Sequence, residues 1–158
     1  MASSPDTIKL RLYPERKDRR YYNVFIFQSI REMYTFWREL HRRGCTEYAL
    51  GREPSAEAVE NFEAITTGWE SFRVKKDGSE VLGRVVGQIL FHQDKLGAGI
   101  VAHEMTHAAI FWLRRIAVDP GRLHDDQQAE ERFSLVVGHL VSQFWQKYYE
   151  KLNCGTEI

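Results

Sequence analysis

The sequence predicts an α+β fold, a small sheet with three main helices. Three patterns carry that expectation: period-two alternation near the start, helical spacing of apolar residues in three segments, and an Asp-Gly turn signal between two apolar runs. No linker or composition shift divides the 158 residues, a length that suits one core, so residues 1–158 are expected to form a single domain.

Ile8, Leu10 and Leu12 alternate with Lys9 and Arg11, as in a half-buried strand, and residues 22–27 form a short aromatic, apolar run. Two early strands follow, joined through the charged stretch 15–20. Ser29 and Glu32 have capping-box spacing, Ile30, Met33, Phe36, Trp37 and Leu40 supply an apolar stripe, and Gly44 is a stop signal, which together describe an amphipathic helix. Residues 51–58 and 119–126 are rich in turn formers and read as loops. Residues 69–74 and 81–91 flank Asp77-Gly78, a hairpin signal. Residues 100–115 form a largely apolar helix with two arginines in its last turn, where cations suit the dipole. Asp125 and Asp126 open a final helix, in which Phe133, Val136, Val137, Leu140, Val141 and Phe144 keep helical spacing to about Tyr149.

Composition excludes several classes of function. At 43% hydrophobic and 13% aromatic, the chain is too apolar for whole-chain disorder. Lys plus Arg at 22 balances Asp plus Glu at 22, so no net field attracts a polyanion and nucleic acid is not an expected partner. Arg16, Lys17, Arg19 and Arg20, interrupted by Asp18, read as a solvated loop. No apolar run approaches the roughly 18 residues of a membrane span, and the start lacks the features of a signal peptide, so no membrane association and a cytoplasmic location are expected. Two cysteines, Cys45 and Cys154, cannot build a disulfide framework; reduced thiols are expected, with Cys154 in a polar tail.

The chemistry is concentrated in His103-Glu104-Met105-Thr106-His107. Histidines four apart are separated by about 400° around a helix, so both imidazoles leave one face about one turn apart and can chelate one Zn2+ per chain. Glu104 points to the flank, where its carboxylate can take a proton from water without occupying the metal. The surrounding Ile100, Val101, Ala102, Ala108, Ala109, Ile110, Phe111 and Trp112 make unpaired burial of these polar groups costly, which favours a metal site over incidental histidines.

A catalytic zinc site needs a third protein ligand and an open position. Glu130 and Glu131 stand where the last helix turns from polar to apolar. A helical wheel leans to Glu130, which lies nearer the stripe of Phe133, Val137, Leu140 and Phe144. Gly138, two turns from Glu131 on its own face, favours Glu131, because a glycine there lets a neighbouring helix approach.

The segment 97–109 around the His-Glu-x-x-His motif, followed by Ala129-Glu130-Glu131-Arg132-Phe133-Ser134-Leu135, resembles the small metallopeptidases encoded in bacteriophages and prophages, of the gluzincin pattern among zincins. The resemblance covers about the last third of the chain. It implies a zincin-like fold, with a small mixed or antiparallel sheet packed on the active-site helix and a C-terminal helix that bears a ligand. A glutamate two residues before a Phe supplies the third ligand in that pattern, which here is Glu131. The metal set implied is therefore His103, His107 and Glu131, with Glu104 as the catalytic base.

Residues 87–96 occupy the place where zincins keep the edge strand that pairs with an extended substrate, which leaves two readings of equal weight, strand addition of a peptide and an ordinary core strand. His92 and His124 are candidates to steady an oxyanion, and His139 a candidate to support a ligand. The expected activity is zinc-dependent hydrolysis of peptide bonds in a narrow or regulated peptide or protein substrate. The alternative is a non-catalytic regulatory or anti-defence protein that binds a host partner and uses zinc for stability alone.

Overall fold

The computed structural model describes residues 7–42, 63–68 and 72–154. The Gly44 stop signal, Cys45, the 51–58 loop and the first residues of the 69–74 arm lie outside the described residues.

β1 (Ile8–Leu12) and β2 (Tyr21–Phe27) pair antiparallel, with Leu10 opposite Val24 and Leu12 opposite Tyr22. α1 (Ile30–Arg42) follows. β3 (Ala64–Gly68) comes next, then a separate two-stranded ribbon of β4 (Phe72–Val74) and β5 (Glu80–Leu82), and β6 (Val85–His92). β6 runs parallel to β2 and antiparallel to β3, giving the order β1-β2-β6-β3. The chain between β2 and β6 passes through α1, β3 and the ribbon, a long connection of the kind a parallel pair requires, since a parallel neighbour cannot be reached by a tight turn.

The sheet is covered on both faces, which explains why β2 and β6 read as continuous apolar runs. On one face Leu10, Leu12, Tyr22, Val24, Ile26, Ile89 and Phe91 meet α2 (Ala98–Arg115) and α3 (Gln127–Cys154). The helices contribute Val101, Met105, Ala108, Ala109, Trp112, Val136, Leu140 and Phe144 to the same core. On the other face Phe27 and Leu90 meet Met33, with Phe25, Ile30, Phe36, Trp37 and Ile65 packed around them. Each fully buried side chain of this size contributes about 1.5–3 kcal/mol. None of the described helices is long and apolar enough to cross a membrane.

The helix termini follow their sequences. α2 ends in a Schellman turn: Val118 N–H donates to Leu113 O at 2.9 Å and Ala117 N–H to Arg114 O at 3.1 Å, with Ala117 in the left-handed region at φ 59°. α3 begins where Asp126 Oδ1 accepts from Gln128 N–H at 3.0 Å and Ala129 N–H at 3.1 Å. It runs through Cys154, so that cysteine ends a helix rather than lying in a tail. The Asp77-Gly78 turn forms as expected, with Gly78 at φ 81° and Val74 opposite Glu80, but of the expected 81–91 arm only Val81 and Leu82 pair across it, while residues 85–91 belong to β6 in the other sheet.

Two corrections follow. Residues 64–68 were not anticipated as a strand. Of the two readings of residues 87–96 the core strand holds and the substrate-pairing edge does not: residues 87–92 belong to β6, which has neighbours on both sides, residues 93–95 form a 3-10 turn, and among the described residues the sheet ends at β3.

Side chains close the other edge. Gln143 on α3 accepts from Tyr13 N–H at 3.3 Å and donates to Tyr13 O at 2.7 Å, and Lys147, one turn on, donates to Arg11 O at 2.6 Å. The helix thereby supplies hydrogen bonds that a fifth strand would have made.

Candidate metal and acid-base site

α2 is apolar on the face toward the core, with Val101, Met105, Ala108 and Trp112 fully buried. His103 and His107 leave the opposite face and are exposed, so the burial cost expected from their apolar neighbours falls on Glu104 alone. Their Nε2 atoms lie 3.1 Å apart. Two nitrogens bound to one tetrahedral zinc at 2.0–2.1 Å stand about 3.3 Å apart, so the pair already has close to the bite the metal requires. The donor chemistry also suits zinc, since neutral imidazole is among its preferred ligands.

Glu104 lies between the solvent face and the core and is only 5% exposed. Its two oxygens have different surroundings. Oε2 accepts a 2.6 Å hydrogen bond from Thr66 Oγ1 on β3, while Oε1 stands 4.0 Å from His103 Nε2. The carboxylate is thus anchored to the sheet through one oxygen and turned toward the histidines through the other. Thr66 escaped the sequence reading; the β-branched run Ile65-Thr66-Thr67 is the signal that could have found its strand.

The two candidate third ligands, Glu130 and Glu131, are both exposed on the first turns of α3. Measured around the helix from the buried stripe of Ala129, Val136, Leu140, Phe144 and Tyr148, Glu130 stands about 70° away and Glu131 about 170° away. Glu131 thus shares its face with Leu135, Gly138 and Ser142, which line a cavity of about 650 Å3 together with Pro14, Glu15 and Arg16. Among the described residues, no group of three or more His, Cys, Asp or Glu side chains comes together to hold a metal ion. The structure therefore brings together His103, His107 and Glu104 but not a third ligand.

The remaining histidines fall elsewhere. His92 is two residues beyond Leu90 on the α1 face of the sheet, and its Nε2 is 3.1 Å from Gln28 O, so it is not directed at the α2 histidines. His124 is exposed and pairs with Asp125 at 3.1 Å. His139 is half-buried and lines the Pro14–Arg16 cavity. Burial, with Arg16 and Lys147 nearby, holds its imidazole below the usual value.

Part of the charged β1–β2 loop has structural work instead of a ligand. Arg20 chelates Asp18, with contacts of 2.6–3.1 Å, and its guanidinium lies 4.4 Å from the Trp112 ring. Glu15 accepts from the Trp112 indole at 3.1 Å and from Arg132 at 2.6 and 2.8 Å. These contacts tie the loop to both α2 and α3.

No protein-family model, curated protein or solved structure matches the chain.

Proposed function

We propose that the chain is a zinc-dependent metallopeptidase in which His103 and His107 hold the metal and Glu104 is the general base. The observation that carries this reading is the 3.1 Å separation of the two Nε2 atoms on an exposed helix face, directly beside a buried carboxylate. Zinc held there would supply Lewis acidity, lowering the pKa of a water molecule and polarising the peptide carbonyl.

The protein's own part is proton handling and positioning. Glu104 Oε1 takes the proton from the attacking water and passes it to the leaving amine, while Thr66 keeps Oε2 engaged and so fixes which oxygen reacts. An extended substrate is proposed to add to the sheet along β3, the edge that carries Thr66, with backbone hydrogen bonds supplying register. Glu131 is the proposed third ligand, on the strength of the family resemblance, and reaching the metal requires the first turns of α3 to turn toward α2.

The test is metal analysis combined with hydrolysis of a quenched-fluorescent peptide library. Protein purified without chelator is expected to carry about one zinc per chain, and a strong chelator to lower its melting temperature, because metal bound to the native state adds to stability. His103→Ala and His107→Ala should each lose most of the metal. Glu104→Gln should keep metal and fold but abolish hydrolysis. Absence of zinc, or unchanged turnover in Glu104→Gln, overturns the reading. Zinc-dependent stability with no cleavage by the wild type would instead support the regulatory alternative.

A further inference from the structure

At the sheet edge opposite Thr66, a second cavity of about 650 Å3 opens between β1, β2 and the last turns of α3. Lys9, Arg11, Lys147 and Lys151 line it, against a single carboxylate, Glu150. In a chain whose net charge is zero, this is a local concentration of positive charge. None of the four cations forms an ion pair with a carboxylate among the described residues. Arg11 is held over the Tyr21 ring at 4.8 Å, and Lys147 is held by Arg11 O and by the Tyr13 ring at 5.0 Å. Neutral groups thus hold Arg11 and Lys147 in place, and Glu150, whose charge acts on Lys147, is the single carboxylate set against the four cations. Burial depresses the Lys147 ammonium below its usual value, the signature of a cation held out of water without sufficient counter-charge. The helix dipole accounts for lysines in the last turns of α3, but not for Lys9 and Arg11 on a strand.

We propose that this cleft binds a small organic polyphosphate. Its volume falls within the range of small-molecule sites, which limits the occupant's size. The three-charge excess calls for a multiply charged anion, and the Asn23 side chain adds a neutral polar group. Phe25 and Tyr13, both half-buried, give the organic portion an aromatic wall. The site is independent of the proposed peptidase chemistry.

The experiment is calorimetric titration of the full chain with ATP, inorganic tripolyphosphate and AMP at about 50 mM salt, repeated at high salt. ATP and tripolyphosphate should bind saturably at one site, AMP about tenfold or more weakly, and high salt should weaken all three. Lys9→Gln/Lys151→Gln removes two exposed cations and should weaken ATP binding about tenfold or more while leaving the ligand-free melting temperature unchanged. Lys17→Gln/Lys75→Gln changes net charge equally away from the cleft and should bind as the wild type does. His103→Ala/His107→Ala should also bind normally, which separates this site from chelation of a metal by the phosphates. Absence of saturable binding, equal loss in the two lysine double variants, or tighter binding of a single-stranded oligonucleotide than of ATP overturns the proposal.

Discussion

Thr66 Oγ1 donates to Glu104 Oε2 at 2.6 Å, joining the edge strand of the sheet to the helix that carries both exposed histidines. The same hydroxyl is 3.2 Å from the Glu104 carbonyl, so one threonine meets both the side chain and the backbone of this residue. Thr66→Val keeps the shape of the side chain and removes the donor, leaving a buried carboxylate oxygen unsatisfied. It should cost about 1–3 kcal/mol in chemical denaturation, and Thr66→Ser should recover most of that loss. An unchanged midpoint in Thr66→Val would show that water replaces the hydroxyl without penalty.

Adjacent glutamates on one helix point about 100° apart, so only one of Glu130 and Glu131 should matter greatly for zinc. Zinc titration against a competing chelator should show the larger loss in Glu131→Gln. Because Glu131 now faces away from the buried stripe, binding through it should also change amide hydrogen exchange over residues 127–135. A larger loss in Glu130→Gln, with exchange unaltered by metal, would mean that α3 is already oriented for binding and that the family register does not apply here.

Ala117 occupies the left-handed position of the turn that closes α2, where glycine carries no steric cost. Ala117→Gly should therefore raise stability by up to about 1 kcal/mol despite the added freedom of the unfolded chain. A thermal or urea midpoint that falls on this substitution would show the unfolded-state entropy to be the larger effect.

His139 is held below its ordinary pKa by burial and by Arg16 and Lys147. The folded state thus binds a proton less readily than the unfolded state. Above the unfolded value near 6.5 both states are neutral and stability is unaffected; as pH falls through that value and on through the lower folded value, stability is lost. His139→Gln should flatten the decline in denaturation midpoint as pH falls below about 6.5. An identical slope in the variant would assign the decline to other groups.

The parts of the fold written in local pattern were legible: β1 in its alternation, α1 in its stripe and capping spacing, the hairpin in Asp77-Gly78, and α3 in the Asp126 cap. The parts set by partners were not. β3 is short and becomes a strand because β6 offers it an edge, and the choice between an edge and a core position for β6 stayed open because nothing local reveals what lies on either side of it. Within the site, the shared face of His103 and His107 follows from four-residue spacing alone. The anchoring of Glu104 by Thr66, 38 residues away, depends on tertiary placement that no motif encodes. The outward turn of Glu131 was foreshadowed by the helical wheel, which had placed Glu130 nearer the core.

Gln143 and Lys147 satisfy Tyr13 and Arg11 from sequence separations of 130 and 136 residues. As the chain emerges from the ribosome, β1 and β2 can pair early, but the outer edge of β1 must wait until α3, about 130 residues later, has been made. Until then a bare strand edge faces its neighbours at the stage when nascent chains are most prone to associate. Lys9 and Arg11 are exposed on that strand, and like charges on a bare edge disfavour its pairing with another copy of itself.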